Sequence, residues 1–503
     1  MRAAKFQISE MVSFLTCEIV LTCLFSVFVL CLGSVCALGG NAMPQITRQL
    51  ANFAADYTYD DLPANVIERT KLLIFDITGV MVRARHDAES TSSMISAVER
   101  LGLASGKCSV LGDDRGYSPT AAALVNGTLA HSLDFDDTHA AGSLHSSAPI
   151  VPAAIAAAEL VGASGRDLII ACVVGYEVQI RLALALNPSE HYDRGFHPTA
   201  TCGVFGAAAA AGRLLGLDGA GIQSAFGIAL SQAAGSMQFL ADGSWTKRSH
   251  VGQAASNGLI CATLAAEGFK GPDESFEGKW GFLNAYAPNS DETKVTYRLG
   301  EKWETLGLAV KPYPSCRYSH AAMDGLISLA KQHSIKLEEI ETVEIGLPET
   351  GHKIIGEPLD SKVNPGSIVD GQFSMPFCAA VALSEGAMAW DDYAKHLNNS
   401  ATRELCKKVS TFCDPQAEAA YPANLSGTVK IKTTKDLFSV FVEVPKGEPD
   451  NFMSPGELRE KFDGLCSPYL DETQRDRLVD ALLSLEDANS VSSVFALSQM
   501  GVA

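Results

Sequence analysis

The sequence predicts an α+β protein that is predominantly helical: a large helical domain, discontinuous along the chain, with a smaller α+β domain. Three observations carry this reading. Apolar residues recur at helical spacing from Gln45 to Gly268, in segments often rich in Ala; alternation at period two appears only after Lys311; helical spacing returns from Pro455 to Met500. The chain of 503 residues is long for a single core, and 47% hydrophobic against 19% charged residues supplies a large interior.

Residues 1–42 stand apart as a hydrophobic leader. Met11 to Leu38 is almost wholly apolar, with Glu18 its single charge, and follows Arg2 and Lys5. Three readings fit: a signal peptide with Val35 and Ala37 at its exit, a bilayer anchor through residues 19–38, or a leader without function upstream of an initiator at Met43.

The helical domain is expected over 43–308. Leu50, Phe53, Ala54 and Tyr57 form one helical face, which Leu62-Pro63 breaks; Val66, Leu72, Leu73 and Ile77 form the next. Further helices are predicted over Ala121–Leu133, Ile150–Val161, Asp167–Leu186, Thr201–Leu215, Asp218–Gly235 and Ala254–Gly268. Small residues let such helices approach closely. The α+β domain is expected over 309–447, where Val343, Ile345 and Leu347 alternate, and where Val429 and Ile431 face Phe438, Val440 and Val442 across a polar turn at Thr433–Asp436. Residues 448–503 are expected to rejoin the helical domain.

A net charge of −19 excludes nucleic acid as a partner, because phosphate binding needs clustered Lys and Arg. It also makes each cation near a polar cluster informative. Thirteen Cys show no CxxC pairing, against a zinc site, an iron–sulfur cluster or a disulfide framework. The body is therefore expected inside the cell, tethered to a membrane if residues 19–38 anchor it.

The densest chemistry lies in His131–Pro152, HSLDFDDTHAAGSLHSSAPIVP, with Asp134, Asp136, Asp137, Thr138, His139 and His145 beside an apolar segment. Titratable groups so placed are costly unless they bond one another or face a ligand. Four more polar segments interrupt apolar sequence: RGFHPT at 194–199, SWTKRSH at 244–250, YPSCRYSH at 313–320 and GQFSMP at 371–376. Taken singly, an imidazole beside Pro or an exposed basic pair is more often structural. Asp136 and Asp137 read as helix caps or Arg partners, and His131 and His139 as peripheral.

In order, DFDDTH, LHSSAP, GFHPT, KRSH with VGQAASNG, KPYPSCRYSH and QFSMP resemble the MmgE/PrpD family, over Met43 to about Met500. The resemblance implies that the α+β domain is a lid on the helical one, and it implies a homodimer, no metal or organic cofactor, and a site between the two domains. It implies a catalytic set of Asp134, His145, His197 and Lys247, with Thr138 orienting substrate. Arg317, Tyr318 and His320 are substrate-binding candidates, and spacing does not choose among them. Ser146 and Ser147 follow His145 where bacterial dehydratases of the family carry Pro, which bears on the substrate more than on the reaction class.

The implied reaction is a cofactor-independent dehydration of a 2-methylcitrate or longer alkylcitrate, the longer chain pointing to secondary metabolism of fungal type. The alternative is decarboxylation of cis-aconitate to itaconate. Either reaction needs cations such as Lys247 and Arg317 to hold carboxylates, and groups such as His145 and His197 to move protons near neutral pH. A third reading is a membrane-tethered binding protein that keeps the fold without turnover.

Overall fold

The computed structural model describes residues 45–241 and 243–499; the leader expected over 1–42, its anchor included, lies outside the described residues. Helix α1 (Ile46–Asp56) and helix α2 (Ala64–Asp87) flank the break at Leu62-Pro63. Helix α3 (Pro119–Ala130) begins where Ser118 accepts an N–H from Ala121 and Pro119 needs no partner. It stops three residues before the expected end, because His131–Asp137 leaves helical geometry and Asp134 turns left-handed, with φ of 53°.

Helix α4 (Ser147–Val161) opens earlier than Ile150, since the Asp137 carboxylate accepts the N–H groups of Ser146 and Ser147. A Ser164–Asp167 capping box starts helix α5 (Gly165–Ala185). This helix is long and apolar enough to cross a membrane, but it is buried among other helices as part of the core. The helix expected over Thr201–Leu215 divides at Cys202 into a short turn (Pro198–Thr201) and α6 (Gly203–Leu214). Helix α7 (Gly219–Leu230) ends five residues short of Gly235 and yields to a loop.

Helix α8 (Thr246–Ala266) starts eight residues before Ala254, which places Lys247 in its first turn. Its approach to α3 is backbone on backbone: a Cβ on Gly127 would stand 2.8 Å from Gly252 Cα. Only glycine at both positions permits that crossing, and it holds the start of α8 beside the end of α3.

Helix α9 (His320–His333) lies on a four-stranded sheet made of β1 (Ile340–Leu347), β2 (Val409–Cys413), β3 (Gly427–Thr433) and β4 (Leu437–Val442). The order is β2-β1-β3-β4, with β1 and β2 parallel and the other pairs antiparallel. The β3–β4 hairpin turns where expected, the Asp436 N–H donating to the Thr433 hydroxyl. Strand β2 escapes the sequence pattern because Val409 alone of its five residues is buried. Helix α10 (Met375–Glu385) packs against α9.

The chain then returns to its beginning. Helix α11 (Pro455–Cys466) stacks Phe462 on Phe75 of α2, ring centroids 4.7 Å apart, and α12 (Glu472–Leu483) also packs on α2. Thr138 and Ala309 exchange two backbone hydrogen bonds at 2.9 and 2.8 Å, so residues leading into the strand-bearing segment are stitched to the acidic loop. The nine described cysteines carry free thiols, eight of them buried.

Candidate active site

The loop from His131 to His145 leaves α3 and leads into α4. Asp134 sits at its left-handed turn, a conformation that costs a non-glycine residue on the order of 1 kcal/mol. Two ammonium groups hold it there. Lys247 Nζ lies 3.0 Å from Asp134 Oδ1, and Lys311 Nζ lies 3.0 Å from Oδ2 and 2.8 Å from the Asp134 carbonyl oxygen. Burial opposes the charge on Asp134, but the two lysines outweigh it and hold the carboxyl well below its usual range. Lys247 meets the same opposition from burial, and Asp134 reverses it, leaving the ammonium more firmly protonated than usual. The lysines differ in access: 24% of the Lys247 side chain is open to solvent against 2% for Lys311.

Beside this pair lies a cluster of imidazoles. Asp136, fully buried, accepts from His131 Nδ1 at 2.7 Å, and His145 Nδ1 stands 3.2 Å from the same oxygen, off the line of a good hydrogen bond. The rings of His131 and His197 stack at 5.7 Å, and His250 lies 5.8 Å beyond His197. Burial favours the neutral imidazole, taking His131 down to about 4 and His197 well below its usual range; Lys247 adds to both effects. Asp136 is held well below the carboxylate range because His145 and His131 outweigh its burial. Asp137 goes the other way, pushed up to about 7 by burial and by Asp136. His131 Nε2, His197 Nδ1 and Asp136 Oδ1 are buried and have no protein partner among the described residues, so their hydrogen-bonding capacity is unspent.

His131, Asp136 and His145 offer ligand atoms within 4.8 Å of one another, a spacing a cation could occupy. The 2.7 Å contact fits that use poorly: two ligands at zinc distances and a tetrahedral angle stand about 3.3 Å apart. Chemically, the arrangement can bind an anion at the open lysine and exchange protons with it through neutral imidazoles.

Family models match most of the chain: the MmgE/PrpD N-terminal domain over residues 48–294 and the MmgE/PrpD C-terminal domain over 313–487. The chain belongs to the MmgE/PrpD family. It is 31% identical to the cis-aconitate decarboxylase-like protein oryM of Aspergillus oryzae, an alignment covering 90% of this chain and 97% of that protein. The cis-aconitate decarboxylases of Aspergillus terreus and Homo sapiens are each 28% identical to it, over 91% and 90% of this chain and 96% and 95% of theirs.

Within this MmgE/PrpD member, Asp134 pairs with Lys247, His145 and His197 both lie against His131, and the Lys247 charge acts on His131 and His197, so the four belong to one cluster. Thr138 adjoins it, half-buried, its backbone bonded to Ala309. Two of the YPSCRYSH candidates, Arg317 and His320, are placed differently from the sequence expectation. Arg317 is committed to Glu448 through two donors, at 3.0 and 2.7 Å, and to His320 Nδ1 at 2.7 Å, which leaves no guanidinium fork for a substrate carboxylate. His320 is fully buried, with Nε2 on the Ser315 carbonyl. Tyr318 donates to the Tyr421 hydroxyl at 3.3 Å. Ser374 caps α10, accepting from the Phe377 N–H.

His139 is peripheral, accepting from the Gly142 N–H and lying 3.8 Å from Glu304. Asp137 is a cap, whereas Asp136 and His131 stand at the centre of the cluster. Lys311 was missed by sequence reasoning. It lies in KPYPSCRYSH, and the signal that could have found it is a lone cation in an otherwise apolar run, LAVKPYP, of an acidic protein.

Proposed function

We propose that this protein is a lyase acting on a small tricarboxylate without a metal or organic cofactor. The observation that carries the reading is the junction of a solvent-reachable lysine, Lys247, with buried neutral imidazoles that keep unpartnered nitrogens. One substrate carboxylate binds Lys247, and Thr138 orients it. The names of the relatives favour decarboxylation of a cis-aconitate-like acid. In that reaction the bond to the departing carboxylate breaks, its electron pair is taken up by the conjugated acid, carbon dioxide leaves, and an imidazole, His145 or His197, first protonated from solvent, delivers that proton to carbon.

Dehydration of a 2-methylcitrate or alkylcitrate is the second reading. It is favoured by the presence of two separate imidazoles, since removing water requires a base at carbon and an acid at the hydroxyl. Incubation with cis-aconitate and with 2-methylcitrate separates the two: carbon dioxide released from the first supports decarboxylation, and new conjugated-alkene absorbance from the second supports dehydration. No turnover across a tricarboxylate panel would leave a binding protein.

We also propose that the chain works as a homodimer. Leu240, Trp245, Ile260, Leu264 and Phe269, between 38% and 68% exposed, would be covered in such a pair. Light scattering tests this, and a monomer at micromolar concentration would refute it.

A further inference from the structure

Leu133, Asp134 and Phe135 present three consecutive carbonyls, and each accepts from a side chain distant in sequence. Gln372 Nε2 donates to Leu133 O at 2.7 Å, Lys311 Nζ to Asp134 O at 2.8 Å, and Lys461 Nζ to Phe135 O at 3.0 Å. Among the described residues, no main-chain N–H reaches any of the three. Buried peptide groups need partners, and here the partners come from three separate segments rather than from a helix or a sheet. The left-handed turn at Asp134 is therefore held from outside, by side chains that can act only once their own segments are docked.

Lys461 is the least expected of the three donors. It projects from α11, lies 2.7 Å from Asp76 Oδ1 of α2, and sits 3.9 Å over the ring of Phe135 itself. Both partners are almost sealed from water, at 4% and 3% exposure. Burial pushes the Lys461 ammonium down and the Asp76 carboxyl up, so the pair carries an electrostatic cost. A buried ion pair is often no more stabilising than apolar residues of the same shape. Stability alone thus gives weak reason for this pair, whereas its contact with the peptide between Asp134 and Asp136 gives a direct one. The charge of Lys461 also acts on Asp136.

We infer that Lys461, backed by Asp76, is a positioning residue that fixes the Asp134–Asp136 turn, so that one carboxylate meets the two lysines and the other meets the imidazoles; Gln372 fixes the same turn at the Leu133 carbonyl. This rests on the proposal that the turn belongs to the reaction site. Neither residue touches the reacting atoms.

The test uses the full chain. Lys461→Met combined with Asp76→Asn removes both charges together, so no lone buried charge remains; Gln372→Met removes a single amide donor. In folded double variant, kcat on the acid that the wild-type protein turns over should fall by about tenfold or more with KM changed by less than about threefold, and Lys461→Arg alone should recover most of the loss. Histidine-selective nitrogen-15 spectra should show the imidazole resonances of His131 and His145 displaced in the double variant and in Gln372→Met. Unchanged spectra in folded variants, or rates within about twofold of wild type, would overturn the inference. If the wild-type protein turns over no tricarboxylate while the resonances still move, the functional reading falls and the positioning stands. If the double variant does not fold, Gln372→Met decides by the same spectra.

Discussion

His131 and His145 meet edge to face with ring centroids 4.7 Å apart, and both direct Nδ1 toward one oxygen of Asp136, at 2.7 and 3.2 Å. The carboxylate thus orients His131 and fixes which of its nitrogens carries the proton, while His145 stands within ion-pair reach of the same oxygen. Asp136→Asn keeps the shape and removes the charge. Turnover of the tricarboxylate substrate should fall by roughly 10²–10⁴, with the circular dichroism spectrum unchanged. A wild-type rate in steady-state assays would show that proton transfer does not depend on this carboxylate.

His197→Ala and Lys247→Ala should each lower kcat/KM by roughly 100-fold or more without loss of the fold. Lys311→Met should behave differently, because its ammonium is sealed and bonds both the carboxylate and the carbonyl of Asp134. Here stability in urea should also fall, by roughly 3 kcal/mol, since a buried acceptor pair loses its donor. Equal denaturation midpoints for Lys247→Ala and Lys311→Met would remove the distinction.

Acid should destabilise the protein in a defined window. Burial lowers His131 and His191 to about 4, and takes His197 and His320 well below the usual imidazole value of 6.5. A depressed folded-state pKa means that the unfolded chain binds protons first as pH falls. The stability is present above about 6.5 and lost progressively down to about 4, a shift worth roughly 3 kcal/mol for His131 alone. Urea midpoints should therefore drop steeply between pH 6.5 and 4. A flat profile across that window would contradict neutral buried imidazoles.

Arg317→Met should cost stability rather than substrate affinity. It abandons Glu448, whose side chain is 10% exposed, and such losses run to about 3–5 kcal/mol. In the folded fraction, KM should stay within about twofold of wild type. A large rise in KM with unchanged stability would restore the expectation that the guanidinium holds a substrate carboxylate.

Helical periodicity was legible wherever one face met the core, as at Val66, Leu73 and Ile77, all buried. Helix ends were less so, because they depend on contacts remote in sequence: α3 stops early where Lys311 and Lys461 hold the turn that follows it, and α4 starts early because Asp137 caps it. Strand β2 lies parallel to β1 after a long crossover and buries one residue, too little to leave an alternation. At the site, the ordered motifs pointed to Asp134, His145, His197 and Lys247. They could not reveal that His131 shares Asp136 with His145, since a lone imidazole reads as peripheral until its neighbours are seen. Arg317 misled for the converse reason: its partner, Glu448, lies 131 positions further on.

The Leu133–Phe135 turn also dictates an order of events during synthesis. Its donors arrive 177, 239 and 326 positions downstream of the carbonyls they hold. An emerging chain carries its imidazoles and Lys247 well before it has all the hands that set them. On the positioning role inferred for Lys461, full competence arrives with docking of α11, so a ribosome-stalled or C-terminally clipped product would keep nearly every reactive group and yet turn over slowly.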